Sequence, residues 1–196
     1  GTDTAGVAEP ATSALATTST ATSTAVTTAT STAVTTSTAS ALMQSADTET
    51  PGAAYTTGEM SSDAAGAAEL TIQDVRAATH DGFDRVVFEY AGTGTPWFHA
   101  GYVPEPRQQA SGNPLDVAGS AYLEVDIHGT PMASVAPRPD MAAVGPVGVA
   151  AGNVAGVTHG GVFEADTQYV IGLDHQRPYQ VYTLENPTRV VVEFQQ

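Results

Sequence analysis

The chain has 196 residues, with 21 Asp and Glu against six basic residues, a formal net charge of −15 and no cysteine. That balance excludes the basic footprint of a nucleic-acid or anionic-membrane binder. The lack of cysteine excludes a disulfide framework, a thiolate nucleophile and a Cys-ligated zinc, and no run of about 18 apolar residues is present to span a bilayer.

The chain divides near residue 69. Of its aromatic residues only Tyr55 precedes Glu69, and all six arginines follow it. Residues 11–40 hold 19 Ser or Thr and eight Ala, and Thr22–Thr28 recurs in sequence as Thr30–Thr36. Such a segment offers too little apolar surface to offset the entropy of ordering it, and Ser and Thr disfavour an isolated helix. Residues 1–68 therefore read as a disordered Ser/Thr/Ala-rich stalk of the kind that is often O-glycosylated. A stalk of this kind fits a chain whose secretory leader or lipidated cysteine lies upstream of Gly1.

Residues 69–196 suit one domain, and period-two alternation between Gly, Pro, Asn and Asp predicts that it is all-β. Strands are expected at Leu70–Ala77, Arg85–Tyr90, Trp97–Val103, Ala121–Ile127, Tyr169–Leu173, Tyr179–Leu184 and Arg189–Phe194. Prolines 104, 106, 114, 131, 137, 139, 146, 178 and 187 fall between them, where the missing amide costs no ladder bond. No window shows a convincing amphipathic helix, and the one place where a short helix could form is near Glu164–Thr167. Residues 131–152, with six Ala, four Pro and three Gly, read as a long loop that is either functional or disordered, with disorder preferred.

Two segments echo each other: Arg85-Val86-Val87-Phe88-Glu89-Tyr90 and Arg189-Val190-Val191-Val192-Glu193-Phe194. In each, the second, fourth and sixth residues should face the core, leaving Arg, the third-position Val and Glu on the outer face. The expected arrangement is a β-sandwich with internal two-fold similarity, each copy supplying an equivalent strand to one of two packed sheets.

These residues carry a resemblance. Val170-Ile171-Gly172-Leu173-Asp174, Arg177-Pro178-Tyr179 and Leu184 through Glu193 resemble the end of the AMIN-like domain of actinobacterial envelope proteins. Val75-Arg76 with His80 through Glu89 is similar to that domain's opening hairpin, and Ser111–Pro114 through Gly119–Leu123 to its middle. The central Ala/Pro/Gly stretch departs from the pattern, and Glu193 stands where Asp is expected. The resemblance implies a β-sandwich in a secreted, often lipid-anchored protein. AMIN domains proper are non-catalytic modules that place amidases and secretins on the cell wall.

No catalytic, metal or cofactor site follows from the residues. His80, His99, His128, His159 and His175 form no H-x-x-x-H or H-E-x-x-H pair, and no Gly-x-Ser-x-Gly elbow or phosphate-cradling loop occurs. Glu124 and Asp126 share a strand face but read as a solvated surface. Binding is better supported. Arg85 and Arg189 offer forks that match carboxylates, such as those of peptidoglycan stem peptides, and Trp97 and Tyr102 offer rings on which glycans stack. The structural alternative pairs each arginine with Glu89 or Glu193 across its own sheet and puts Trp97 in the core. The expected function is a non-catalytic envelope module binding peptidoglycan or an envelope protein. The alternatives are a small-molecule or lipid carrier with an inter-sheet cavity, and then a hydrolase.

Overall fold

The computed structural model describes residues 54–131 and 139–196. Ten strands and one helical turn run in chain order: β1 (Met60–Ser61), β2 (Glu69–His80), β3 (Phe83–Thr93), β4 (Trp97–Val103), β5 (Ala121–His128), α1 (Pro139–Ala142), β6 (Gly145–Pro146), β7 (Val154–Phe163), β8 (Asp166–Leu173), β9 (Tyr179–Leu184) and β10 (Thr188–Gln195). They form two antiparallel sheets, one ordered β1-β4-β5-β8-β7-β6 and the other β2-β3-β10-β9. The all-β sandwich is the expected one.

Alternation places the core. Val86, Phe88 and Tyr90 of β3 and Val190, Val192 and Phe194 of β10 are all buried, facing Leu123, Val125 and Ile127 of β5 and Tyr169, Ile171 and Leu173 of β8. The rings of Phe88 and Tyr169 meet across the sheets at 4.4 Å between centroids. On the opposite face of the four-stranded sheet, Val87, Val191 and Tyr182 make a second, smaller apolar cluster.

The internal echo takes a different form from the one expected. Its two copies do not divide between the sheets; β3 and β10 are central neighbours in one sheet. Val87 lies opposite Val191, so Arg85 lies opposite Glu193 and Arg189 opposite Glu89. An antiparallel pair reverses one copy against the other, which turns the repeated Arg…Glu spacing into two facing pairs of opposite charge. The sheet order then reads as two hairpins, β2-β3 and β9-β10, joined by their inner strands.

Three other segments differ from expectation. Glu164 and Ala165 form a hairpin turn between β7 and β8 rather than a short helix, both at positive φ (49° and 70°). Residues 139–152, read as part of a disordered loop, form α1 and β6, with Met141 and Val147 buried; residues 132–138 lie outside the described residues. Residues 55–62, assigned to the stalk, join the fold: Thr56 bridges Tyr179 of β9 and β1 pairs with β4. This strap links one edge of each sheet. Its few sheet-forming residues are hidden by the Ser/Thr/Ala composition around them, and residues 1–53 of the expected 1–68 stalk lie outside the described residues.

Candidate functional site

The four residues expected to contact a ligand sit on two sheets and do not converge. Arg85, on the outer face of β3, is buried, and its Nε and Nη2 donate to Glu193 Oε1 at 2.9 and 2.6 Å. The fully buried Glu193 also accepts from Tyr182 Oη at 2.8 Å, Gln180 Nε2 at 2.5 Å and Tyr55 Oη at 3.1 Å. Burial pushes this carboxyl up, but the bonds from Arg85, Gln180 and Tyr182 outweigh it and hold the group below its ordinary value. Burial beside that charge pushes the Tyr55 phenol up to about 12. Arg85 is thus engaged as the structural alternative describes. Arg189 is also buried, with Nε donating to Pro187 O at 3.2 Å, while Glu89 accepts from Arg76 Nη1 at 2.9 Å.

Trp97 and Tyr102 stand at opposite ends of β4. Tyr102 turns inward, edge-on to Tyr179 at 5.6 Å, and its hydroxyl donates to Arg177 O and accepts from Arg177 N. Trp97 lies outside the core. It stacks on His128 with centroids 4.3 Å apart, and His128 Nδ1 lies 2.6 Å from Asp166 Oδ1. The register places Trp97, His128 and Asp166 side by side across β4, β5 and β8.

The same outer face carries Glu124 and Asp126, which the alternation of β5 had aligned. It is not the simple solvated surface expected. Asp126 Oδ1 is buried and has no hydrogen-bond partner among the described residues. Burial, then the Glu124 and Asp166 charges, push its carboxyl up to about 7. Gln168, buried beside it, donates to Glu124 Oε2 and Arg107 O at 2.8 Å each and accepts from Gln109 N at 2.9 Å, tying the loop after β4 onto this face. A Cβ on Gly160 would come within 2.3 Å of Gln168 Oε1, so the bare backbone of β7 there makes room for that amide. The face therefore combines a stacked aromatic pair with a carboxyl that its surroundings push up to about 7.

A second feature had no sequence signal, because four separate elements, β2, α1, β7 and β8, build it. A cleft of about 300 Å³ opens between Ile72 of β2 and His159, Thr167 and Tyr169 of β7 and β8, under Met141 and Val144. His159 is buried, with Nδ1 2.9 Å from Ala143 O, and burial lowers its pKa despite that bond. The hydroxyls of Thr130 and Thr167, both lining residues, are buried with no hydrogen-bond partner among the described residues, a cost of about 1–3 kcal/mol for each such group left dry.

Among the described residues, no group of three or more His, Asp or Glu is placed to hold a metal ion, and no helix is long and apolar enough to cross a membrane. No curated protein and no solved structure shows significant similarity to the chain. The AMIN-like domain matches residues 70–196, which run from β2 to the end of the chain and take in both hairpins of the echo. A match over that share of the sequence makes the chain a member of the AMIN-like domain family.

Proposed function

We propose that this chain is a non-catalytic module of the cell envelope, acting outside the cytoplasm, in which a Ser/Thr/Ala-rich N-terminal segment carries a sandwich that contacts peptidoglycan or an envelope protein. Membership of the AMIN-like family supports the location and the class of role. The observation that carries the contact is the outer face of β4, β5 and β8. There Trp97 stacks on His128 beside Glu124, Asp126 and Asp166, a ring with hydrogen-bonding groups alongside, as a glycan requires. Of the four residues proposed from sequence, Trp97 is the ligand contact, while Arg85, Arg189 and Tyr102 hold the sandwich together.

Sedimentation of the full chain with insoluble peptidoglycan sacculi, at low and moderate salt, tests this. The wild type is expected to co-sediment, Trp97→Ala to bind about tenfold or more weakly, as for a central aromatic contact, and Tyr102→Phe to bind as the wild type does. A wild type that stays in the supernatant at both salts overturns the peptidoglycan reading.

A further inference from the structure

We infer that the cleft between β2 and the β7–β8 hairpin is a binding site for a small uncharged molecule that has an apolar body and a hydroxyl or carbonyl group. The site is separate from the outer-face contact proposed above and does not depend on it. Its size comes first. About 300 Å³ is the share of roughly ten waters and the lower end of the range for ligand pockets.

Its chemistry divides by side. Ile72, Met141 and Val144 supply an apolar wall. Thr130 and Thr167 supply hydroxyls that are nine-tenths or more buried and have no partner among the described residues. His159 adds a ring nitrogen: with Nδ1–H donating to Ala143 O, Nε2 is left as an acceptor. Among the described residues, no Asp, Glu, Lys or Arg lines the cleft. None of these lining groups compensates a ligand's charge, so a carboxylate or ammonium held by them would be desolvated without a counter-charge. A neutral group that both donates and accepts would satisfy the threonines, and an apolar body would fill the remaining space.

The competing account is that ordered water satisfies the two hydroxyls and the cleft has no ligand. A matched set of probes separates the two: p-cresol, toluene and p-toluate, of similar shape, carrying respectively a hydroxyl, no polar group and a charge. Each is titrated into the full chain while the ¹³Cε methyl resonance of Met141 is followed, assigned with Met141→Leu. The expected result is saturable shifts with p-cresol, weaker ones with toluene and none with p-toluate. Thr167→Val keeps the shape of the side chain and removes the hydroxyl. It is expected to weaken p-cresol about tenfold, the value of one lost hydrogen bond, to leave toluene unchanged, and to raise the thermal midpoint of the unliganded protein because an unpaired polar group is gone. The inference is overturned if no probe moves Met141, if all three bind alike, or if Thr167→Val lowers the midpoint without affecting p-cresol, which is the outcome for a hydroxyl serving a structural water.

Discussion

Glu193 and Asp126 are two carboxyls on the outer faces of the two sheets, and burial acts on both in the same sense. They part because of donors. Glu193 receives bonds from Arg85, Gln180, Tyr182 and Tyr55 and stays below its ordinary value. Asp126 Oδ1 has no donor among the described residues and feels the charges of Glu124 on its own strand and Asp166 on β8, so its carboxyl rises to about 7. The other titratable neighbours are His99, opposite it on β4, and His128 on β5. A raised carboxyl pKa means that the folded state binds the proton more tightly than the unfolded chain. Its contribution is therefore favourable at low pH and is lost as pH rises from about 4 through about 7. Denaturant titrations at pH 5 and pH 8 should show the wild type losing stability across this window, by something on the order of 2 kcal/mol from this group. Asp126→Asn should remove most of that loss and be the more stable protein at pH 8. Equal pH slopes for the two proteins would show that the Asp126 carboxyl ionises as an exposed one does. Glu193 has the opposite sign: its contribution is present above the ordinary glutamate value and is lost as pH falls below it.

At the level of elements, the strands legible in the sequence are those with clean alternation or apolar runs. β4 and β9 have the expected bounds and β5 extends one residue further. β7 was not legible, since Gly156, Gly160 and Gly161 break its pattern and two register shifts interrupt its pairing with β8; glycine in a strand removes the side chains that alternation depends on. Its turn was equally silent. A two-residue hairpin loop with positive φ at both positions normally announces itself as Asn-Gly or Asp-Gly, and here Glu164-Ala165 occupies it. The left-handed conformation costs an ordinary L-residue about 1 kcal/mol or more. Replacing Glu164→Asn and Ala165→Gly together should therefore stabilise the protein by about 1 kcal/mol with the fold unchanged. Urea midpoints compare the two proteins, and a double variant that is no more stable would mean that the turn is held by contacts of Glu164 or Ala165 that compensate its strain.

For the whole molecule, the echo gave the two-fold similarity, while the register of β3 against β10 decided that both copies share a sheet. The candidate sites were legible only in part. Alternation aligned Glu124 with Asp126, but their surroundings come from β4, β8 and the loop tied down by Gln168. The cleft draws on strands from both sheets, and no local pattern encodes that. The strap makes the same point about boundaries. A division at Glu69 is natural by composition, yet Thr56 exchanges both backbone bonds with Tyr179, Tyr179 Oη donates to Gly58 O at 2.7 Å, Ser62 N donates to Phe98 O, and Tyr55 reaches Glu193. These bonds close the side of the sandwich where β9 is an edge strand and β1 covers β4, and Tyr55 helps to screen the buried Arg85–Glu193 pair, whose strength depends on exclusion of water. A protein that begins at Glu69 should therefore be less stable than one that begins at Ala54, by about 3 kcal/mol if each lost hydrogen bond is worth about 1 kcal/mol and part of the loss is regained from water. The thermal midpoint should fall by roughly 10 °C. Tyr55→Phe in the longer protein should account for about 1 kcal/mol of the difference, because it removes only the bond to Glu193. Coincident denaturation curves for the proteins beginning at Ala54 and Glu69 would show that the sandwich closes without the strap.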